Sequence, residues 1–202
     1  MSRATAAIYA SILLMGASST PVLAAGYKVE IARTQYGIPH ISGADYGSVG
    51  YGQAYAYLED NLCLIADKVV TVSGERSKYF GAEAKTTVAF SEVANLESDV
   101  FFKSYLDLPT LRKSFAKASP DYQNLVRGYV AGYNRFLRDH PVGLRPVGCQ
   151  GDWVRAVNLD DMLALNEERM VQVMILLTSV GLVFPLSKAK SKLLIEANTK
   201  GL

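Results

Sequence analysis

Apolar and polar side chains first alternate regularly at residues 27–33, where Val29 and Ile31 occupy one face of an extended segment. A period of two predicts a half-buried β-strand. A short turn leads to a second extended piece at residues 38–41, and its Pro39 favours the edge or the end of a sheet. The pattern therefore predicts an N-terminal β-hairpin.

A long helix is predicted over residues 45–72, because apolar side chains recur there three and four residues apart. They are Ala54, Tyr57, Leu58, Leu62, Ile65 and Val69. Gly47, Gly50 and Gly52 lie in its first turns, although each costs about 1 kcal/mol relative to alanine in a helix interior. They predict that another backbone or side chain approaches the helix closely. The alternative is a dinucleotide-binding loop at Gly50-Tyr-Gly52, but no third glycine follows at the spacing that such a loop requires.

Helical patterning returns after a polar connection at residues 73–81 and a weakly patterned stretch at residues 82–98, which is predicted as loop with short irregular pieces. Pro109 indicates the first turn of one helix. Ser119 as N-cap and Pro120 indicate the start of a longer one. Its apolar stripe is predicted as core and comprises Tyr122, Leu125, Val126, Tyr129, Tyr133, Phe136 and Leu137.

Two adjacent carboxylates, Asp160 and Asp161, follow Asn158 at the start of a last helix. A pair of acids suggests acid chemistry or a metal site. Neighbouring side chains on a helix diverge by about a quarter turn, however, and negative charge stabilises a helix N-terminus. The favoured interpretation is therefore that Asn158 caps the helix and the two aspartates complement its dipole.

Residues 1–25 have the features of a secretory signal peptide. Arg3 precedes an apolar run at residues 6–15, and small residues around Ala24 and Ala25 fit a cleavage region. A membrane anchor is the alternative, but the apolar run is well short of the roughly 20 residues that cross a bilayer. The sequence predicts export, and therefore a periplasmic or secreted protein.

Export would place the two cysteines of the chain, Cys63 and Cys149, in an oxidising compartment where lone thiols tend to pair. We expect a Cys63–Cys149 disulfide, with two buried free thiols as the alternative. A zinc site is not expected, because the two cysteines together with His40 and His140 fit no zinc spacing. Cys63 with His40 is a weak candidate for a nucleophile and base.

Composition narrows the function classes further. The 202 residues include 21 basic and 19 acidic side chains, so the formal charge is only +2 and nothing indicates nucleic-acid binding. Half of the residues are hydrophobic and 20% are charged, as in an ordinary globular protein. No hydrolase elbow, metalloprotease pair, P-loop or kinase signature occurs. The residues alone thus indicate an exported α/β piece without a visible active site.

Several motifs in consistent order nevertheless resemble a known family. They are Ile31-Ala-Arg-Thr-Gln-Tyr-Gly-Ile-Pro-His-Ile41, Gly50-Tyr-Gly-Gln-Ala-Tyr-Ala-Tyr-Leu-Glu-Asp60, Ser73-Gly-Glu-Arg-Ser-Lys-Tyr-Phe-Gly81, Gly128-Tyr-Val-Ala-Gly-Tyr-Asn134, Gly151-Asp-Trp153 and Leu159-Asp-Asp-Met-Leu163. Together they resemble the α-subunit region of penicillin-acylase-type N-terminal-nucleophile hydrolases, with acyl-homoserine lactone acylases and aculeacin-type acylases as the nearest relatives. The similarity runs from about Val29 to Gln172.

This resemblance implies an α+β fold, namely the α-subunit portion of an αββα hydrolase, mostly helical with an N-terminal β-hairpin. It implies an exported precursor that cuts itself into α and β subunits, which remain together as a heterodimer. The nucleophile is the first residue of β, whose own α-amine has a pKa near 8 and serves as the base. We therefore assign no catalytic residue and no cofactor to this chain, and expect a β subunit as its partner.

The similarity stops abruptly after Gln172. The family would continue with a glycine-rich stretch and the cleavage site, whereas residues 173–184 are largely apolar and are followed by Lys188, Lys190 and Lys192. We accordingly divide the chain into a signal peptide at 1–25, an acylase α-like region at 26–172, and a divergent apolar and basic tail at 173–202. The tail suggests a truncated or frameshifted gene, and it is too short to span a membrane comfortably.

The resemblance also implies candidate substrate contacts. The last α-subunit helix of the family borders the acyl pocket, which nominates Leu165, Arg169 and Met170 here, with simple packing as the alternative. No metal is assigned, because no acidic match follows Gln172. The expected activity is hydrolysis of the amide bond of N-acyl compounds, such as acyl-homoserine lactones or β-lactam and lipopeptide antibiotics, once a β chain is present. The alternatives are a secreted non-enzymatic binding or structural protein and a pseudogene product.

Overall fold

The computed structural model describes residues 20–24, 26–88 and 91–179. It contains two small antiparallel sheets and six helices in its described part. The strands are β1 (Thr20–Ala24), β2 (Tyr27–Arg33), β3 (Pro39–Gly43), β4 (Lys85–Val88) and β5 (Ser91–Ala94). The helices are α1 (Tyr46–Val72), α2 (Arg76–Phe80), α3 (Asn95–Tyr105), α4 (Leu108–Ala116), α5 (Pro120–Asp139) and α6 (Leu159–Ser179). The predicted α+β class, mostly helical, is confirmed.

The predicted N-terminal hairpin is present as β2 and β3, which pair antiparallel with Ile31 opposite Ile41. The structure adds β1 on the other side of β2, with Thr20 opposite Ile31 and Ala24 opposite Tyr27. Strand β1 lies inside residues 1–25, the predicted signal peptide. Removal of that segment remains a prediction, and its consequence for the sheet would be an open edge on β2.

Helix α1 begins where the sequence predicts. Asp45 caps it by accepting a hydrogen bond from the backbone N–H of Ser48 at 2.8 Å. Its predicted apolar positions are largely buried in the core against α5 and α6. A kink interrupts it at Asn61, whose φ of −134° and ψ of 26° are not helical. The helix thus forms the central element against which the other helices pack.

The glycines of α1 lie at a close contact, as predicted. A Cβ atom on Gly50 would lie 2.1 Å from the backbone oxygen of Leu125, and one on Gly52 would lie 2.4 Å from Cγ2 of Val29. The approach is mutual, because a Cβ on Gly128 of α5 would lie 1.9 Å from the backbone oxygen of Gly47. Gly47, Gly50 and Gly128 therefore encode one close helix–helix contact, and Gly52 admits the side chain of Val29 from β2.

The caps of α5 and α6 are also confirmed. Ser119 Oγ accepts from the backbone N–H of Tyr122 at 3.2 Å, and Asn158 Oδ1 accepts from that of Asp161 at 3.1 Å. Asp160 and Asp161 diverge as expected: Asp160 binds Arg112 of α4, whereas Asp161 binds Arg155. The predicted Asn158 cap with both aspartates in the first turn is confirmed, and their ion pairs were not predicted.

The prediction for residues 82–98 as irregular loop was wrong, because they contain β4, β5 and the first turn of α3. The preceding polar connection also contains the short helix α2. Both are organised by Arg76, which is 8% exposed and donates to Asn95 Oδ1 at 2.9 Å and to Asp67 Oδ1 at 2.7 Å. Such a network joins segments that are distant in sequence, so local periodicity does not predict it.

A disulfide joins Cys63 of α1 to Cys149, with the two Cα atoms 5.3 Å apart. Cys149 is fully buried and lies in a short 3₁₀ turn, Val147–Cys149, after α5. The bridge closes a separation of 86 residues. It therefore ties the segment between α5 and α6 to the middle of α1.

Helix α6 continues without a break through Gln172 to Ser179, so the predicted tail boundary coincides with no end of a helix. The rest of the predicted tail, residues 180–202, lies outside the described residues. Within residues 20–24, 26–88 and 91–179, no helix has the length and apolar character needed to cross a membrane.

Candidate functional site

Two of the three nominated contact residues, Leu165 and Arg169, line a cleft of about 210 Å³ between α1, α5 and α6. We call it the first pocket. Its walls are mainly apolar, with polar groups at Gln53, Asn166 and Arg169. The full lining is Gln53, Ile65, Tyr122, Leu125, Val126, Tyr129, Met162, Leu165, Asn166 and Arg169.

The third nominated residue, Met170, lies in a neighbouring cleft of about 250 Å³ between α4, α5 and α6, the second pocket. Tyr122 and Asn166 line both pockets. The structure thus places the three nominated residues in the middle of α6 but distributes them over two adjacent cavities. Whether they contact a substrate remains a prediction.

Helix α6 is anchored to the rest of the fold at its first turn and near its middle. At its start, Arg155 donates to both oxygens of Asp161, at 2.8 and 3.0 Å, and to Ser73 Oγ at 2.9 Å. Further along, the buried carboxylate of Glu168 binds Lys68 of α1 at 3.3 Å. These contacts place Leu165 and Arg169 in a defined position relative to α1.

Arg169 supplies the positive charge of the first pocket. Its side chain is exposed, whereas Leu165 is 3% exposed. Burial raises the pKa of the nearby Tyr129 hydroxyl to about 12, and the positive charge of Arg169 opposes that rise. A pocket with an apolar interior and one cation at its rim suits an amphiphilic ligand with an apolar tail and a polar end.

Tyr129 makes the pH dependence of stability testable. The unfolded chain ionises this tyrosine near pH 10, while the folded protein holds the pKa at about 12. The folded state therefore favours the neutral hydroxyl. The resulting contribution to the free energy of unfolding is complete below pH 10 and is lost as the pH rises towards 12. Urea denaturation across that interval should show the wild type losing up to about 2 kcal/mol more than Tyr129→Phe. Parallel losses in the two proteins would contradict the burial of the hydroxyl.

The weak candidate pair Cys63 and His40 is not formed. Cys63 is oxidised in the disulfide, and His40 lies on β3 opposite Ala32 of β2 with its side chain exposed. The residues also form no dinucleotide loop, because Gly50 and Gly52 lie within α1. Among the described residues, no group of three or more histidine, cysteine, aspartate and glutamate side chains could hold a metal ion.

A larger cavity of about 570 Å³ lies beside the α1 kink and the disulfide. Its polar groups are already engaged in the fold. Glu59 and Asp60 bind Arg33 at 2.7 and 3.0 Å, and Arg145 donates to backbone carbonyls including that of His140 at 2.9 Å. Because the charged groups there are paired with groups of the fold, the smaller first pocket is the better candidate site.

The apolar stripe of α5 was predicted as core throughout, and this was wrong for Tyr122 at its start. Val126, Tyr133, Phe136 and Leu137 are buried, but Tyr122 is 40% exposed. Tyr122, Leu125 and Tyr129 instead line the first pocket. Their apolar periodicity is that of an ordinary core face, so no local signal distinguishes a pocket wall from packed interior.

Comparison with known proteins places this geometry in a class. The sequence model of the penicillin amidase family matches residues 28–179. A thermostable penicillin G acylase from Alcaligenes faecalis has a similar fold, with a TM-score of 0.59 and 22% identity over 71% of this chain and 72% of that chain. The α+β structure described here therefore has a penicillin acylase fold.

Curated relatives are more similar in sequence. An acyl-homoserine lactone acylase, PvdQ, of Pseudomonas savastanoi pv. phaseolicola is 44% identical over 146 residues, 72% of this chain and 18% of that protein. An aculeacin-A acylase of Actinoplanes utahensis is 37% identical over 151 residues, 73% of this chain and 19% of that protein. The chain thus spans less than a fifth of the length of these two proteins. It belongs to the penicillin amidase family.

Proposed function

We propose that this chain is the α-subunit-like part of an acylase that hydrolyses the amide bond of N-acyl compounds. Acyl-homoserine lactones and acylated antibiotics are the candidate substrates. A β partner would supply the nucleophile, which takes the acyl group and releases the amine before water releases the acid. The observation that carries the proposal is the first pocket, with Leu165 inside it and Arg169 at its rim.

The character of this pocket supports the proposed substrate class. Its buried walls include Ile65, Val126 and Leu165, which would accommodate an acyl chain. The guanidinium of Arg169 would lie near the polar end of the substrate, where it could bind a carbonyl oxygen or the carboxylate product. Packing of the helices alone would not require a cation at this position.

Exposed apolar side chains support the need for a partner. Leu96, Val100, Phe101 and Tyr105 of α3 are all at least 41% exposed, and the rings of Phe101 and Tyr105 stack with centroids 5.4 Å apart. Several exposed apolar side chains on one helix are typical of a protein–protein contact. We propose that a β subunit forms a heterodimer with this chain and covers such surface.

We further propose that the protein is exported to the periplasm or secreted. The signal-like residues 1–25 and the Cys63–Cys149 disulfide both support an oxidising compartment. Cleavage after Ala24 or Ala25 would remove β1. Intact-mass measurement of the exported protein tests this, and recovery of a full-length, cytoplasmic chain with reduced thiols would contradict it.

Co-expression of the full chain with the β chain of a related acylase tests the activity. We expect the purified pair to cleave N-acyl compounds. Arg169→Met should lower kcat/KM by about tenfold, as expected for loss of one charge-assisted hydrogen bond. Arg138→Met is the matched control, because Arg138 is an exposed arginine of α5 outside the first pocket.

The same experiment identifies the competing function. A stable complex that cleaves no N-acyl compound would contradict the hydrolase proposal and favour a secreted binding or structural protein. Equal activity of Arg169→Met and Arg138→Met would show that Arg169 does not bind the substrate, and the proposed amide hydrolysis would still stand.

A further inference from the structure

The first and second pockets meet at a single polar bridge. Asn166 Nδ2 donates to the Tyr122 hydroxyl oxygen at 3.2 Å, and both side chains line both cavities. The Tyr122 ring also contacts Phe115 edge to face, with centroids 6.0 Å apart, and Phe115 lines the second pocket. Tyr122 and Asn166 therefore form the wall that the two pockets share.

The size of the first pocket limits what it can hold. Its volume of about 210 Å³ is below the roughly 300 Å³ at which pockets for drug-sized ligands begin. A short acyl chain fits inside it. The second pocket offers a further 250 Å³ or so, but a chain extending into it must displace the Tyr122–Asn166 hydrogen bond.

We propose that the Tyr122–Asn166 bridge determines the length of acyl chain that the site accepts, an inference that rests on the proposed function. While the bridge is closed, methylene groups gain from burial only in the first pocket. Each buried methylene raises affinity about fourfold. Opening one exposed hydrogen bond costs a few-fold to about tenfold in binding. Longer chains therefore gain nothing until the bridge opens, and Tyr122 and Asn166 are specificity-determining residues.

Calorimetric titration of the full chain with N-acyl-homoserine lactones of increasing acyl length tests this directly. For the wild type, affinity should rise about fourfold per methylene, pause over roughly one or two methylenes once the first pocket is filled, and rise again when the longer chain offsets the cost of opening the bridge. In Tyr122→Phe and Asn166→Ala, which remove the bridge from either side, the rise should continue, so that the longest acyl chains bind up to about tenfold more tightly. The shortest chains should bind all three proteins alike.

Tyr105→Phe is the matched control. Tyr105 donates to Glu167 Oε1 at 3.2 Å, so this change deletes a hydrogen bond of the same length to the α6 residue next to Asn166. Tyr105 lines neither pocket, and its partner Glu167 lines the second pocket but is no part of the bridge. Its variant should keep the wild-type length profile. Melting curves should show that all variants fold, since each change lies at an exposed hydrogen bond.

Two results would overturn the proposal: the same length profile in the wild type and both bridge variants, or no binding of any acyl compound by the wild type. The second result means that another occupant, such as a β-subunit side chain, fills the first pocket. Binding with the expected profiles but no cleavage by the α–β pair would overturn the proposed function and leave the bridge supported. Cleavage with unchanged profiles would do the reverse.

Discussion

Arg76→Met is expected to destabilise the fold by about 3–5 kcal/mol, because it breaks a buried polar network by removing one partner. Arg76 donates to Asp67 Oδ1 at 2.7 Å, to Thr71 Oγ1 at 2.8 Å and to Asn95 Oδ1 at 2.9 Å. Asn95 is fully buried and Thr71 is 3% exposed, so water cannot replace the lost donor at these two side chains. Methionine retains the apolar stem of arginine but satisfies none of the acceptors.

Arg112→Met is the matched control for this prediction. Arg112 forms an ion pair with Asp160, but its side chain is 55% exposed, and exposed pairs contribute at most about 1 kcal/mol. Urea denaturation followed by circular dichroism measures both variants. Equal and small losses would show that the Arg76 network is hydrated and contributes little.

Gly128→Ala is expected to cost about 3 kcal/mol, at the upper end of overpacking, even though alanine is the better helix former. The added Cβ would lie 1.9 Å from the backbone oxygen of Gly47 and 2.7 Å from its carbonyl carbon. A flexible side chain could move aside, whereas a backbone carbonyl inside α1 moves only with the helix. The strain must therefore separate α1 and α5 along their shared contact.

Gly143→Ala provides the control, because a Cβ at this position meets nothing within 4 Å. Its effect should lie within about 0.5 kcal/mol of zero. Gly50→Ala should resemble Gly128→Ala, since its Cβ would lie 2.1 Å from the backbone oxygen of Leu125. If denaturation midpoints of Gly128→Ala and Gly143→Ala coincide, the close approach of α1 and α5 is wrong.

Local signals in the chain were sufficient for the elements that carry their own information. Asp45 and Asn158 lie at helix starts because a side-chain oxygen can satisfy a free backbone N–H there, whatever the rest of the fold does. The alternation of Val29 and Ile31 with polar residues marks a half-buried strand, because successive side chains of a strand point to opposite faces. The glycines of α1 were informative because a residue that costs helix stability needs a reason from elsewhere.

The candidate site could be predicted from the sequence only in part. Leu165, Arg169 and Met170 were nominated by family resemblance, and periodicity along α6 does not distinguish a pocket wall from a core face. Tyr122 illustrates the difficulty, because it continues a buried stripe yet ends 40% exposed between two cavities. Whether an apolar side chain meets another side chain or an empty space depends on the helix opposite to it.

By itself the sequence determined the β2–β3 hairpin, the helices α1, α4, α5 and α6, the glycine contact and the family, because each depends on neighbouring residues or on a motif read in order. Only the tertiary structure decided that Arg76 joins α1, α2 and α3, that β1 pairs with β2, and that Tyr122 and Asn166 separate two pockets. The physical reason is that these contacts join side chains and backbones from separate elements, and their energies depend on distances that only packing sets.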